Sequence, residues 1–499
     1  MPFNKPIFAR LHNDWHFLLL IIFFITHGYA EHTKMIPLGE LALLFAILLT
    51  LGILLFWISK AILKDRRKAA LFVTFLLAVF LFFGAFQDFL GSYHTTSFLA
   101  QLRVFFPLSV ASIIIVFIIL KKSYYKFQKL NIFLNALLAL YIIVDIGVIC
   151  FKLLSPTETS DKELAAYGLN ATPCDTCRHP SIYFILLDEY SGSNALKDYF
   201  NYDNSSFEEY LRSEGFRVNQ NTNSNYFYTV FSMASMLNMD YIPDLGQQSE
   251  ENHFGYRRGS TLLADNVAIK FLQRQGYIIH NYSYFRLPGQ PVEFKSDFLP
   301  TSLDLITNKT MYSRVANNLM RYLTRIFSFE SLKKSQDEFQ IRTNEAMIER
   351  VTKESAGASN AAAPEFTYMH LLMPHHPFAF DSLGNRITPL WQRKNLTKKE
   401  ADDAYLQYLV YTNNRMRSLI SGLKRDTKGQ AVIILMSDHG FRRMPGHIDW
   451  GYNSLNAVYL PAKNYNEWYD GMSNVNQFRA LFNTLFNQRL PMLKDSLVK

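Results

Sequence analysis

Cysteine is scarce in this chain of 499 residues, which has only three. Cys150 lies in an apolar run, whereas Cys174 and Cys177 form an isolated Cys-x-x-Cys. A structural zinc site would need a second pair, and a thioredoxin-like motif would need a surrounding βαβ unit. The pair is therefore expected either to form a local disulfide, as suits a domain outside the cytoplasm, or to remain two free thiols.

A basic stripe with interleaved aromatic side chains, the usual mark of a nucleic-acid surface, is also missing. The formal net charge is nevertheless +9. Many of the basic residues lie in short loops between apolar runs, where Lys and Arg set the orientation of membrane helices. We therefore expect a membrane protein and no nucleic-acid partner.

Long apolar runs are abundant in the first third of the chain. Five of them stand out, at residues 15–30, 39–59, 69–87, 104–120 and 131–153. Most approach the roughly 20 residues that a spanning helix needs. We predict a transmembrane domain over residues 1–153. The first run is short enough to be the core of a cleaved signal peptide, which is the alternative for that run. Ionisable residues within the runs, such as His27 and Asp145, are expected at helix interfaces or near water, and they do not suggest a transporter.

Lys and Arg are unevenly distributed among the connecting segments. Two of the loops carry a single basic residue each, Lys34 and Arg103. The N-terminal segment and the loops after the second and fourth runs carry all the others: Lys5, Arg10, Lys60, Lys64, Arg66, Arg67, Lys68, Lys121, Lys122, Lys126 and Lys129. Basic loops face the cytoplasm. An odd number of spans then places the C-terminal domain outside it.

The remainder of the chain has the pattern of an α/β domain. Residues 154–180 are polar and contain three prolines, so we interpret them as a linker to a domain over residues 181–499. Nearly continuous apolar runs predict strands at 182–188, 276–283, 366–373, 431–437 and 455–460. Helices are predicted at 206–214, 262–275, 331–353, 397–424 and 476–487, with capping boxes at Ser205 and Thr397. This alternation predicts a mostly parallel, doubly wound sheet.

Metal-binding residue types recur where three of these strands end. The first strand leads into Asp188-Glu189, the third into His375-His376, and the fourth into Asp438-His439-Gly440. Ligands of such sheets bind beyond the carboxyl ends of the strands, so these side chains should meet at one edge. Carboxylates and imidazoles suit Mn, Mg or Zn. The sequence therefore predicts a site for one divalent metal ion.

Several of these motifs resemble those of the alkaline phosphatase/sulfatase superfamily. The strand Ile182-Tyr-Phe-Ile-Leu-Leu-Asp188 is similar to the superfamily's opening strand, and Ser437-Asp438-His439-Gly440-Phe441 is similar to its Ser-Asp-His-Gly motif. Thr229-Val-Phe-Ser232 lies where the superfamily has its nucleophile turn, and the last helix, with Phe478, Arg479 and Asn483, is similar to that of bacterial members. With several spans before the domain, the chain most resembles lipoteichoic acid synthases and phosphoethanolamine transferases.

The resemblance implies a set of site residues. Asp188, Thr229, Asp438 and His439 would hold one divalent metal ion. Thr229 would be the nucleophile, and His375, in an element similar to the family's His-x-Pro, would protonate the leaving group. A supporting or substrate-binding role is assigned to a further set: Glu189, Ser232, His280, His376, Arg442 and His447.

The function implied is phosphoryl transfer in a bacterial cell envelope. Sulfatases need Cys or Ser in a Cys/Ser-x-Pro-x-Arg turn, whereas the corresponding positions here are Thr229, Phe231 and Met233. We therefore expect a phosphotransferase of the cytoplasmic membrane, with its catalytic domain in the periplasm. It would move a phosphoryl-linked group from a lipid to an envelope acceptor, such as a glycan, through a phosphothreonine. The alternatives are a phosphodiesterase, phosphatase or sulfatase-like hydrolase, and a non-catalytic envelope protein.

The distribution of basic residues makes the topology testable. A reporter that is active only outside the cytoplasm should be active when fused after Lys499 and silent when inserted near Arg67, because positively charged loops stay inside. Activity in whole cells is the measurement. The opposite pattern of activities would contradict the orientation.

Overall fold

The structure is a computed structural model. It describes residues 14–33, 36–91, 97–154, 158–174, 176–242, 253–290, 303–315, 330–357, 363–388, 390, 397–444 and 448–498. The chain divides into two compact units. The first, here called the helical unit, comprises Met1–Pro156 and Asp297–Glu330, and the second, the sheet unit, comprises Thr157–Ser296 and Ser331–Lys499.

The described part of the helical unit is built from apolar helices. In chain order they are α1 (His16–Glu31), α2 (Leu38–Leu63), α3 (Arg66–Gly91), α4 (Ser97–Ala100), α5 (Leu102–Lys122), α6 (Gln128–Leu154) and the later, short α13 (Asp304–Thr307). Within the described residues, α2, α3, α5 and α6 are long and apolar enough to cross a membrane, whereas α1 is shorter. The five predicted runs thus correspond to four full-length candidates and one short helix.

The short helix α1 lies in the core of the helical unit. Phe17, Ile21 and Phe24 are buried against residues such as Leu48 and Leu77 from α2 and α3. These contacts are those of a bundle helix. Retention of this helix in the mature protein stays a prediction.

The other helices expose their apolar side chains, and the ionisable residues lie between helices. Trp57, Ile114 and Ile143 are more than half exposed, as lipid-facing residues would be. His27 Nδ1 of α1 lies 3.2 Å from Asp145 Oδ1 of α6. The expected placement of these two residues at a helix interface is therefore confirmed, although the sequence did not indicate that they pair with each other.

The sheet unit alternates strands with helices. Its elements are α7 (Glu158–Ala166), β1 (Ile182–Leu187), α8 (Ser193–Asp198), α9 (Ser205–Ser213), β2 (Arg217–Val218), α10 (Thr229–Asn238), α11 (His253–Ala264), α12 (Val267–Arg274), β3 (Ile278–Tyr282), α14 (Glu330–Ser355), β4 (Glu365–Leu371), α15 (Lys398–Asp426), β5 (Val432–Ser437), β6 (Asn456–Tyr459) and α16 (Gln477–Phe486). Two 3₁₀ turns, Ile448–Tyr452 and Asn474–Asn476, flank β6.

The described strands form one six-stranded sheet in the order β2-β6-β5-β1-β4-β3. β1 pairs in parallel with β4 and β5, and β3 pairs in parallel with β4. β6 is antiparallel to both β5 and β2, so the sheet is mixed. The prediction of a mostly parallel, doubly wound sheet is confirmed, since three of the five strand pairings are parallel. The sequence did not specify the antiparallel direction of β6, because an apolar run does not encode strand direction.

Both faces of the central strands are buried. Ile182, Phe184 and Leu186 belong to one hydrophobic cluster, whereas Tyr183, Ile185 and Leu187 belong to the cluster on the opposite face. Alternate residues of a strand point to opposite faces, so helices cover the sheet on both sides.

Local signals in the sequence succeeded at one helix start and failed at another. Thr397 and Glu400 form the predicted capping box of α15. At α9, however, Asn204 is the N-cap and makes no side-chain cap bond, so the capping box predicted at Ser205 is wrong. The Glu208 carboxylate instead accepts bonds from Ser193 and from Arg212, the latter at 2.8 Å.

Two further segments differ from the sequence interpretation. The helix expected at 262–275 is split into α11 and α12, because the Asn266 side chain caps the second by accepting from Ile269 N at 2.9 Å. The linker region contains α7, whose Glu163 accepts from Lys270 Nζ at 2.8 Å. After α7, Cys174 and Cys177 are joined as a disulfide, which was one of the two alternatives for this pair.

The two helix starts supply a matched test of stability. Thr397→Ala removes an N-cap bond and should cost about 1 kcal/mol, which lowers the thermal midpoint of the full-length protein in detergent by roughly 2 °C. Ser205→Ala should leave the midpoint nearly unchanged, because Ser205 is not a cap. Equal shifts for the two variants would contradict this assignment of the caps.

Candidate active site

The site is assembled at the carboxyl ends of three adjacent parallel strands. Leu187, the last residue of β1, is in register with Ser437 of β5 and with Leu371 of β4. Asp188 and Asp438, which follow these strands, are therefore neighbours. Both carboxylates are buried, as is His439.

Asp188, Asp438 and His439 form a group that could hold a metal ion. One ligand atom from each lies within 4.8 Å of the others. His439 Nε2 is 3.2 Å from Asp438 Oδ2 and 3.8 Å from Asp188 Oδ1. Donor atoms that share one ion at ~2.1 Å lie roughly 3 Å apart, so the spacing fits a single ion.

The hydrogen bonds around this group leave a lone-pair acceptor on each of its three side chains for a metal ion. His439 Nδ1 donates to the Gly440 carbonyl at 2.8 Å, so the neutral ring presents a lone pair at Nε2. Among the described residues, Asp188 Oδ1 and Asp438 Oδ2 are buried atoms without a hydrogen-bond partner. Buried, unpaired acceptors that face each other are unfavourable unless a cation binds between them, so the donor set fits a divalent metal ion.

The two carboxylates also differ in their affinity for a proton. Burial raises the pKa of Asp438, and the neighbouring charge of Asp188 raises it further. Burial also acts to raise the pKa of Asp188, but His375, His370 and His439 outweigh it and lower that pKa below its usual value. The two buried carboxylates thus repel each other, and a bound cation would reduce that repulsion.

Thr229 is the first residue of α10 and lies against the same group. Its Oγ1 is 3.2 Å from His439 Nε2 and 3.5 Å from Asp188 Oδ2. The preceding residue, Tyr228, is the N-cap in an extended conformation. The hydroxyl therefore lies at a helix N-terminus, where backbone N–H groups and the helix dipole favour an anion.

Ser232, the alternative hydroxyl one helical turn later, is committed to a different contact. It is buried, and its Oγ donates to the Asp438 backbone carbonyl at 2.6 Å. Asn474 Nδ2 donates to the same carbonyl at 3.1 Å. Ser232 thus helps to fix the Asp438 loop, and the sequence did not single out Asn474 as its partner.

Glu189 connects the metal-binding group to two basic side chains. Its carboxylate lies 3.9 Å from His375 Nε2, and it accepts the Arg442 backbone N–H at 3.2 Å. The Arg442 guanidinium lies 3.7 Å from the same carboxylate and stacks over Tyr228 at 5.2 Å. Glu189 has a positive φ of 64°, which costs on the order of 1 kcal/mol for a residue with a side chain. In this conformation its backbone N–H donates to Asp438 Oδ1 at 3.2 Å.

His375 is arranged to carry a proton at Nε2. Its Nδ1 donates to the His376 carbonyl at 2.6 Å. Burial by itself lowers the pKa of His375, but the charges of Asp188 and Glu189 outweigh burial and raise it. A histidine with a raised pKa, beside a cluster of carboxylates, suits general acid catalysis.

The remaining predicted residues are not brought to this group. His280 lies on β3, 3.8 Å from Glu365 at the beginning of β4, whereas the site is at the strand ends. The ring of His376 packs against Phe378, and its carbonyl accepts from Gln340 at 2.9 Å. His447 falls outside the described residues.

His370 is the site residue that the sequence interpretation missed. It is fully buried near the end of β4, and its Nε2 donates to Asp188 Oδ2 at 3.2 Å. Because that bond requires a proton on Nε2, its Nδ1 accepts from the Tyr368 hydroxyl at 2.7 Å. A histidine inside an otherwise apolar central strand was the available signal, whereas the sequence interpretation relied on His375-His376 beyond the strand.

The chain is similar to known proteins in both sequence and fold. The sulfatase family model matches residues 182–480. No curated protein matches the chain. Solved structures with a similar fold include the C-terminal periplasmic domain of EcEptC from Escherichia coli, with 12% identity, 65% of this chain and 90% of that chain covered, and a TM-score of 0.37.

Two other solved structures also have a similar fold. One is the soluble domain of lipooligosaccharide phosphoethanolamine transferase A from Neisseria meningitidis, with 11% identity, coverages of 64% and 92%, and a TM-score of 0.37. The other is a protein of glycosaminoglycan metabolism from Bacteroides thetaiotaomicron, with 12% identity, coverages of 61% and 72%, and a TM-score of 0.35.

The bond from His370 makes metal affinity testable. His370→Phe should weaken binding of Mn²⁺ or Zn²⁺ by roughly 10–100-fold, because residues that orient a ligand usually contribute that much. Asp438→Ala should lose the metal altogether, and His280→Phe, outside the group, should retain it. Elemental analysis and metal titration of the purified full-length protein are the measurements. Unchanged metal content in Asp438→Ala would remove that residue from the site.

Proposed function

This chain belongs to the sulfatase family, and we propose that it is a phosphotransferase that acts on lipid and envelope substrates. The observation that carries the proposal is the Thr229 hydroxyl at the start of α10, 3.2 Å from His439 Nε2 and 3.5 Å from Asp188 Oδ2. A hydroxyl so placed is a candidate nucleophile for a phosphoryl centre. Threonine cannot supply the formylglycine of conventional sulfatases, so we favour phosphoryl transfer over sulfate ester hydrolysis.

The family is metal-dependent, and Asp188, Asp438 and His439 are the residues that would hold the ion in this chain. Thr229 would complete the set. When bound, a divalent cation would polarise the Thr229 hydroxyl and favour loss of its proton to solvent at neutral pH. Mn, Mg and Zn all suit this mixture of oxygen and nitrogen ligands.

The proposed first step forms a bond from Thr229 Oγ1 to phosphorus and breaks the bond from phosphorus to the donor's alkoxide oxygen. His375 donates its Nε2 proton to that departing oxygen. The negative charge on the phosphoryl oxygens would face the N-terminus of α10. It would also face Arg442, which stacks over Tyr228 beside Thr229.

The proposed second step reverses these roles. His375, now neutral, accepts the proton of an acceptor hydroxyl, which attacks the phosphothreonine and releases Thr229. A glycan or another envelope hydroxyl makes the chain a transferase, whereas water in the same place makes it a phosphodiesterase. The apolar helices α2, α3, α5 and α6 support a lipid donor, because the enzyme would share a membrane with it. We accordingly propose a multi-pass protein of the bacterial cytoplasmic membrane, with the sheet unit in the periplasm.

Two adjacent hydroxyls provide a matched test of the nucleophile. Thr229→Ala should reduce turnover of a phosphodiester by at least about a thousandfold while metal is retained at least in part, since the covalent step is lost. Ser232→Ala, which loses a positioning bond, should have a smaller effect. Acid-quenched wild-type protein should carry the phosphoryl adduct on the peptide that contains Thr229, as measured by mass spectrometry.

The opposite outcome is equally informative. If Ser232→Ala abolishes turnover and Thr229→Ala does not, the nucleophile has been assigned one helical turn too early.

A separate experiment distinguishes the transferase from the hydrolase. Mass spectrometry of envelope lipids and glycans, from cells with and without the protein, should show a modified acceptor only if the chain is a transferase.

A further inference from the structure

A short stretch from the middle of the C-terminal sequence packs with the membrane helices. Residues 303–315 follow β3 and precede α14 in the chain, yet they belong to the helical unit. The chain therefore passes between the two units three times, after Pro156, after Ser296 and after Glu330. We call residues 303–315 the anchor segment.

The apolar side of the anchor segment completes the core of the helical unit. Leu303 and Ile306 are buried in the same cluster as Phe24 and Tyr29 of α1. Gly28 of α1 admits this contact, since a Cβ there would come within 2.8 Å of the Ile306 side chain. Ile306 can therefore pack against α1 at this point only because residue 28 has no side chain.

A second glycine makes the corresponding space on α3. The Gly84 N–H donates to the Lys309 carbonyl at 2.7 Å. A Cβ at Gly84 would lie 2.9 Å from Lys309 Cα and 2.7 Å from Arg314 Nε. The Lys309 backbone and the Arg314 side chain can therefore approach α3 this closely only because residue 84 has no side chain.

Ion pairs fix the polar side of the anchor segment. Arg314 Nη2 lies 2.8 and 3.0 Å from the two carboxylate oxygens of Asp88. Arg314 is only 15% exposed, so this pair is shielded from water more than a surface pair would be. Lys309 Nζ also lies 3.5 Å from Glu31 of α1.

The contacted positions lie on one side of the membrane helices. Gly28 and Glu31 are near the C-terminal end of α1, and Gly84 and Asp88 are near the C-terminal end of α3. The opposite end of α3 begins with Arg66-Arg67-Lys68, which belongs on the cytoplasmic side. The anchor segment thus meets the ends of the helices that are expected to be outside.

We propose that the anchor segment attaches the catalytic domain to its own membrane helices, and that the Asp88–Arg314 pair positions the enzyme for a substrate held in the same bilayer. This inference rests on the proposed function. A domain tethered by one linker samples a large volume, whereas a second attachment restricts that volume and raises the effective concentration of a membrane-bound substrate. Hydrolysis of a small soluble substrate does not need this restriction.

The test compares two substrates of the full-length protein in vesicles of phosphatidylethanolamine and phosphatidylglycerol. Release of diacylglycerol reports action on a lipid phosphodiester, and hydrolysis of bis(p-nitrophenyl) phosphate reports the intrinsic chemistry. Asp88→Arg and Arg314→Asp should each slow diacylglycerol release about tenfold, with the soluble reaction within about twofold of the wild type. The double charge swap should restore most of the lipid reaction, because the pair is re-formed in reverse. Arg350→Asp, at an exposed pair on α14, should change neither reaction.

Several outcomes would overturn the anchor. These are an equal loss in both reactions, no loss in either, and a double swap that does not recover. A second measurement is independent of activity. In a Cys150→Ser background, the pair Gly28→Cys with Ile306→Cys should form a disulfide that shifts electrophoretic mobility, and failure to cross-link would contradict the docking. If the wild type acts on neither substrate while the cross-link forms, the proposed function fails and the docking stands.

Discussion

Two carboxylates that are forced together at the ends of β1 and β5 are the constraint on which the site depends. The parallel register places Asp188 beside Asp438, and burial removes the water that would otherwise screen them. His370 Nε2 donates to one oxygen of Asp188, and the Glu189 backbone N–H donates to one oxygen of Asp438. The remaining oxygen of each lies near the Nε2 lone pair of His439, an arrangement that a bound cation would stabilise.

This arrangement also explains why the surrounding chain is so heavily bonded. The Asp438 carbonyl is held by Ser232 and Asn474, and the Ser437 hydroxyl donates to the His439 carbonyl at 2.6 Å. Glu189 adopts its positive φ in the same region. Such contacts hold the carboxylates in place before any cation arrives, which is how a site is preorganised.

The sequence predicted the central architecture well because strand ends carry strong signals. Apolar runs that end in Asp188 and in Asp438-His439 located the three residues that the structure groups as possible metal ligands, and the family assignment that followed is confirmed. His370 was missed because a buried histidine inside a strand has the same pattern as an ordinary core position. The antiparallel direction of β6 was not predicted, because side-chain alternation is identical in parallel and antiparallel strands. The place of residues 303–315 in the helical unit depends on Gly28 and Gly84, two small residues far away in the sequence, so no local pattern could indicate it.

The position of Leu303 and Ile306 in the core of the helical unit has a consequence for biosynthesis. The last long membrane helix ends at Leu154, yet the cluster around α1 lacks two of its members until residue 306 has been made. At 5–20 residues per second, the ribosome needs roughly ten to thirty seconds for that interval. In the proposed topology, the helices remain in the bilayer during this time without the side chains that pack beside Gly28 and Gly84. Membrane insertion and completion of the bundle would then be separate events, and the second would follow export of the Thr157–Ser296 part of the sheet unit.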